Sequence, residues 1–224
     1  MTDPFAAQWL HDIPPDVVDL LRRSSDLITL RDGSVIHPID GEAPWLWGIQ
    51  EGYVRYFATF DEIGPTLSHI FGPGSWVGAA RVARRAPTTE EARVATDTTI
   101  LRIHRADFLR LANRHPGLWE AAIRLLATMR LLSTHGAMDL TLRKGNMRLA
   151  AVLLRLSGYR ANTQGTEPWS VVHASQQELA ALANISLSKA TEDLAALAEA
   201  GMIALKYRMI LVTDPKKLRA VIKA

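Results

Sequence analysis

Residues Ser175–Ile203 read SQQELAALANISLSKATEDLAALAEAGMI, the pattern of two short helices joined by a tight corner. Ser175 is a good N-cap residue, and Glu178 follows at capping-box spacing. Leu179, Leu182 and Ala183 then share one helical face. Asn184 and Ile185 occupy the corner, and Ser186 can cap a second helix. That helix takes its apolar stripe from Leu187, Ala190, Leu194, Leu197 and Ala198, and Gly201 ends it. This is the helix-turn-helix pattern, whose second helix enters the DNA major groove. An ordinary helical hairpin in an alanine-rich core has the same spacing, and chance matches are common. The flanking sequence therefore has to decide.

Downstream, Met202–Leu205 and Met209–Val212 flank a basic tip, Lys206-Tyr207-Arg208, the pattern of a β-hairpin. Asp214-Pro215 closes it, and Lys216–Ile222 reads as a last helix. A helix-turn-helix followed by a two-stranded wing is a winged helix, and Lys206 and Arg208 at the wing suit phosphate contact. Charge agrees. The chain carries a net +3, but Thr141 onward has 12 basic and 6 acidic residues against 14 and 17 before it. The positive charge belongs to the part that would meet nucleic acid; a solvated basic face would show the same excess.

The 224 residues allow one or two domains, and 48% hydrophobic content supports a real core. Zero cysteines exclude disulfides, thiolate metal sites and cysteine-held iron–sulfur clusters. The N-terminus carries acids and has no basic segment before an apolar run, so no secretory signal is expected. No apolar stretch reaches membrane-spanning length. The expected setting is the cytoplasm, without membrane contact. There is no low-complexity segment and no internal repeat.

Pro14-Pro15-Asp16 opens a helix over Val17–Arg23. From Leu27 to His104 the grammar is β. Eight short runs (Leu27–Leu30, Val35–His37, Trp45–Ile49, Tyr53–Phe60, Thr66–Phe71, Trp76–Val77, Ala92–Ala95, Thr99–His104) are separated by glycine and proline turns, as in an all-β sandwich or barrel. Helical grammar returns at Arg105–Arg114, and Pro116 begins a long helix reaching about Leu142. Leu118, Ala122, Leu125, Met129 and Leu132 recur at four-three spacing, the seam of a two-stranded coiled coil. Trp119, Ile123 and Leu126 form a neighbouring stripe able to pack on the β domain. The alternative is a helix buried within a monomer. Gly136 and Lys144-Gly145-Asn146 are candidate hinges.

A β-roll, a long helix, a hinge and a winged helix, in that order, resemble the Crp/Fnr family of bacterial transcription regulators. The likeness is carried by Glu51–Arg55, Phe71–Gly78, Thr98–Leu101 with Arg105–Phe108, and the helix-turn-helix. It implies an α+β fold with three parts: a jelly-roll-like cyclic-nucleotide-binding-type β-roll over 1–115, a dimerisation helix over 116–142, and a winged helix over 143–224. It also implies a homodimer on a palindromic double-stranded operator, RNA polymerase as a further partner, and a small-molecule effector in the β-roll. The DNA-facing residues would be Ser175, Gln176, Ser186, Leu187, Ser188, Lys189, Thr191 and Glu192, with Lys206 and Arg208 on the wing. The effector pocket would involve Gly78, Ala79, Thr88, Thr89, Ser133 and Thr134.

The departures from the family pattern carry as much weight. Cyclic-nucleotide-binding members place a glutamate after the turn glycine for the ribose hydroxyl, and an arginine-serine or arginine-threonine pair further on for the phosphate. Here those positions hold Ala79 and Thr88-Thr89, and Arg81, Arg84 and Arg85 stand elsewhere. A lost hydrogen bond to a charged group costs about 1.5–3 kcal/mol, so cyclic AMP is expected to bind weakly or not at all. Ser133-Thr134 align with the pair that contacts adenine. Iron–sulfur sensing is excluded by composition, and His37, His69, His104 and His135 show no paired haem-ligand spacing; no cofactor is expected. On the recognition helix, Leu187 and Glu192 stand where many members have arginine, and Gln176 replaces another, so bidentate guanine readout is missing at the usual places. Two functions remain open: a sequence-specific dimeric regulator, or a β-roll sensor or interaction module whose winged helix no longer reads DNA. No nucleophile–base pair, P-loop or metal-ligand spacing marks an enzyme.

Overall fold

The computed structural model describes residues 2–39, 44–60, 63–83, 89–142, 144–160, 170–207 and 209–223. Two compact units emerge from its contacts. The first comprises Met1–Thr66, Phe71–Met129 and Gln164–Thr166, and the second Leu67–Ile70, Arg130–Thr163 and Glu167–Ala224.

The first unit is a β-roll, of which Leu67–Ile70 alone are counted with the second unit. Helix α1 (Pro15–Arg23) leads into β1 (Ser25–Leu30), β2 (Val35–His37), β3 (Trp45–Glu51), β4 (Val54–Phe60), β5 (Ile63–Phe71) and β6 (Trp76–Val77). A short helix α2 (Ala79–Ala83) precedes β7 (Glu90–Val94) and β8 (Thr98–His104). Two four-stranded sheets result, ordered β1-β8-β3-β6 and β2-β7-β4-β5. The expected strands are all present, within a few residues of their expected ends. Turn residues account for this accuracy, because glycine and proline punctuate the runs at the corners.

Gly48 sits mid-strand in β3, where a Cβ would come within 2.8 Å of the Trp76 ring. The glycine leaves room for that indole, which is 1% exposed and donates from Nε1 to the Pro4 carbonyl at 2.7 Å. Phe5 and Trp9 close on Trp76 edge-on, each at 5.4 Å between centroids. The N-terminal segment, which showed no pattern in sequence, thus seals one end of the core with Leu46, Phe108, Leu118 and Leu125.

Helices α3 (Arg105–Arg114) and α4 (Gly117–Asp139) follow the roll. On α4 the structure turns the expected seam inward, while of the stripe expected to pack on the β domain Leu126 does pack on the core and Trp119 meets Phe108 edge-on. Leu118 is fully buried, Leu125 and Leu132 are 4% exposed, and Ala122 and Met129 are half-buried against the chain's own core. These five residues were expected to form the dimer seam. Ile123, expected to pack on the β domain, is instead 64% exposed, and Trp119 38%. Both stripes have helical period, and the period alone cannot say which of two adjacent apolar stripes meets the roll.

The second unit is built around α5 (Gly145–Leu156), in which every residue from Leu149 to Leu156 is buried. Around it lie β9 (Val171–Val172), α6 (Gln176–Ala183), α7 (Leu187–Glu199), β10 (Ile203–Lys206), β11 (Met209–Val212) and α8 (Pro215–Lys223). The wing is a three-stranded antiparallel sheet, β10-β11-β9. Its third strand, two valines long, was not expected. Asp139 and Arg155 are both buried and pair at 3.0 Å, Arg160 binds the other carboxylate oxygen, and Arg155 lies 3.1 Å from His69 Nδ1. Among the described residues, no helix is long and apolar enough to cross a membrane.

Candidate functional site

The helix-turn-helix is fixed at each joint by local hydrogen bonds. Ser175 Oγ accepts from Glu178 N at 3.2 Å, and Glu178 Oε2 accepts from Ser175 N at 2.7 Å, completing the capping box that starts α6. At the corner Asn184 takes the left-handed conformation (φ 48°, ψ 56°), which asparagine tolerates better than most side chains. Ser186 Oγ then accepts from Lys189 N at 3.2 Å and starts α7. Leu179, Ala180, Leu182 and Ala183 of α6 pack with Ala190, Leu194 and Leu197 of α7 as the buried face.

Arg148, on α5, locks this corner from behind. Its guanidinium donates to the carbonyls of Ala183 at 2.8 Å, Asn184 at 3.3 Å and Leu142 at 3.0 Å. It satisfies carbonyls that the end of α6 leaves without intrahelical partners. Gly145, at the start of α5, lies so close that a Cβ there would meet Ile185 at 3.0 Å. The sequence marked Gly145 as a candidate hinge, and the structure adds this close approach. Arg148 had little local signal, because two of its three partners lie 35 and 36 residues on in the chain.

The outward face of α7 presents Leu187, Ser188, Lys189, Thr191 and Glu192. Leu187 is 51% exposed, so it does not belong to the apolar stripe in which the sequence also placed it. Thr191 Oγ1 lies 2.8 Å from Gln176 Oε1, joining the starts of the two helices. Ser186 and Ser188 hydroxyls are 3.1 Å apart. Lys189 is engaged within its own helix: Nζ sits 2.9 Å from Asp193 Oδ1 and 3.2 Å from Glu192 Oε1. These partners, Asp193 first, raise its pKa. At the wing Lys206 and Tyr207 are exposed, and Arg208 lies outside the described residues.

The residues expected around an effector have varied environments. Gly78 has φ +98°, and a Cβ there would meet the Trp45 carbonyl at 2.6 Å and His37 Nε2 at 2.9 Å; only glycine suits this backbone. Ala79 begins α2 and is buried. Thr89 is exposed and Thr88 lies outside the described residues, as do Arg84 and Arg85. Ser133 and Thr134 are exposed on α4, in the second unit. Arg81, taken from sequence as a bystander, is buried inside the roll and donates to the carbonyls of Pro38 and Glu90, each at 2.7 Å. Beside it His37 is fully buried, and neither ring nitrogen has a partner among the described residues. Burial, then the charge of Arg81, holds its pKa down at about 3. Tyr56 donates to Glu90 Oε2 at 2.7 Å, and burial pushes its pKa well up. No group of three or more histidine, cysteine or acidic side chains placed to hold a metal occurs among the described residues.

A capped helix-turn-helix with a wing, on a chain that also carries a β-roll, defines the class of winged-helix regulators with a sensor-type domain. Comparison with known proteins gives the family. Residues 27–115 match the cyclic nucleotide-binding domain and residues 147–221 the Crp-like helix-turn-helix domain. The chain belongs to the Crp/Fnr family of transcription regulators. It is 29% identical, over 87% of each chain, to the cyclic AMP receptor protein of Thermus thermophilus. The crystal structure of the Thermus thermophilus catabolite activator protein matches 99% of both chains at 26% identity, with a TM-score of 0.52. FixK2 of Bradyrhizobium japonicum shares the fold at a TM-score of 0.72 and 15% identity, over 88% of this chain and 96% of that one.

Proposed function

We propose that this protein is a dimeric regulator that reads a palindromic operator through α7. On this reading, 1–115 senses a signal, 116–142 joins two copies, and 143–224 binds DNA. The observation that carries it is the open outward face of α7, where Leu187, Ser188 and Thr191 stand exposed on a doubly capped scaffold. Leu187 suits a thymine methyl, and the hydroxyls suit base edges or phosphates. Lys206, exposed on the wing, suits the phosphate backbone. The exposed line Ile123, Ala127, Leu131, Thr134 and Met138 on α4 suits contact with a second copy. A gel shift on the region upstream of the gene, over a salt series, tests the reading. A discrete complex that survives competitor DNA is expected; uniform weak binding to every sequence would refute it.

That second outcome would favour a module that no longer reads DNA specifically. The engagement of Lys189 by Glu192 and Asp193 supports this alternative, since it leaves the recognition face with little free positive charge.

For the signal, the Thermus relative is named for cyclic AMP, but this chain is expected to bind it weakly. Ala79 offers no carboxylate to a ribose, and Arg81 already donates to two backbone carbonyls. Bringing a cyclic phosphate into the roll without a free cation is costly. Calorimetric titration with cyclic AMP and cyclic GMP checks this; micromolar affinity for either would overturn it.

A further inference from the structure

The first unit holds an apolar cavity of about 140 Å³ where α2, α3 and the first half of α4 meet. Its deep walls are core side chains, among them Trp9, Leu46, Phe108 and Leu125, each at most 5% exposed, and its mouth opens beside Trp119 and Ile123. Two walls are pinned from outside: Arg124 donates to the Trp9 carbonyl at 3.2 Å and Arg105 to the Val82 carbonyl at 2.8 Å. Both guanidinium groups are thereby directed at backbone, and neither residue lines the space. Among the described residues no charged side chain lines it either.

We infer that this cavity is a ligand site for a compact, uncharged, apolar molecule about the size of a single aromatic ring, sharing Ala79 with the effector pocket expected from the sequence. The volume matches the engineered apolar cavity of about 150 Å³ that stays dry and accepts benzene. A water molecule needs two to four polar partners, and these walls do not supply them. An anion would lose its hydration with no cation among the described lining residues to replace it. A second copy of the chain fits less well as the occupant, because the flank of a helix would cap a recessed space without filling it. The inference does not depend on DNA binding.

Benzene is the probe, with the full-length protein. Calorimetry and ligand-observed NMR are expected to show saturable, submillimolar binding, one molecule per chain. Benzoate, the same ring with a charge, is expected to bind at least about tenfold more weakly. Ala122→Phe places a ring in the cavity and is expected to weaken benzene binding by a similar factor without lowering the melting temperature. Should that variant fold poorly, xenon-pressurised crystals of the unaltered protein give an independent reading, with density expected inside the cavity, against Leu46 and Leu125. Absence of saturable benzene binding, equal binding of benzoate, equal binding by a folded Ala122→Phe protein, or no xenon in the cavity would each overturn the assignment. So would benzene binding that appears only when dilution separates the chains, since a second copy would then be the occupant.

Discussion

On α7, Lys189 is the side chain best placed to supply positive charge to DNA, and the same helix neutralises it. Glu192 adds negative charge on the exposed face, while Asp193 is buried and has one carboxylate oxygen unpartnered among the described residues. Glu192→Gln removes a repulsive charge and releases part of the lysine's attraction. It is expected to raise affinity for DNA about 3–10-fold at low salt, with the gain shrinking as salt rises. A filter-binding salt series checks this, and unchanged affinity would show that α7 does not face DNA. Arg148 acts in the opposite way, through structure alone. Arg148→Ala strips charge-assisted hydrogen bonds from the corner carbonyls and is expected to cost about 2–3 kcal/mol in urea unfolding. Residues of this kind were the least legible in the sequence. The caps at Ser175 and Ser186 could be read because their partners lie three positions away. Arg148, Arg81 and His37 could not, since a sequence shows that a side chain is polar but not that tertiary packing has buried it.

At the level of elements, α4 sets the clearest test. Its four-three spacing is real, but Leu118, Leu125 and Leu132 point inward, leaving Trp119, Ile123, Leu131 and Met138 as large apolar groups facing out. On the dimeric reading, Ile123→Glu is therefore expected to separate the two copies, seen by analytical ultracentrifugation, while each chain stays folded. Leu125→Glu is expected to do something different: a carboxylate forced into the core should destabilise the first unit by about 4 kcal/mol or more. If Leu125→Glu yields a well-folded monomer, the seam read from sequence is the true interface and the exposed face is not. Strand and helix spans were legible because glycine, proline and capping residues mark corners chemically. What escaped were α2, which is five residues long, β9, which is two, and α5, whose run from Leu149 to Leu154 is apolar on every side and shows no period that distinguishes one face from another. The mouth of the apolar cavity escaped with them, because it depends on which stripe of α4 faces the roll.

Each unit of the molecule contains a buried neutral histidine next to an arginine, His37 with Arg81 in the first and His69 with Arg155 in the second. Burial, and then the neighbouring charge, lowers both pKa values, His37 to about 3 and His69 well below the ordinary value. In the unfolded chain a histidine takes up its proton near pH 6.5. Between that pH and about 3 the unfolded state therefore binds more protons at His37 than the folded state does. Stability from this source is complete above about pH 6.5 and is lost as pH falls, at about 1.4 kcal/mol per pH unit. His69 acts in the same direction on the second unit. There a proton would also end its ability to accept from the Arg155 guanidinium 3.1 Å away. Carboxylates titrate over part of the same range, so the decisive comparison is with a variant that lacks only the ring. His37→Leu removes two ring nitrogens without partners among the described residues, a change that is near neutral or stabilising at pH 7.5 when the shape is kept. Urea unfolding of both proteins at pH 7.5, 5.5 and 4.5 is expected to show the unaltered protein losing stability faster on acidification. The gap is expected to grow by about 1.4 kcal/mol per pH unit below 6.5. Parallel losses in the two proteins would mean that His37 is hydrated or paired in solution and that the interior of the roll is more polar than its packing indicates.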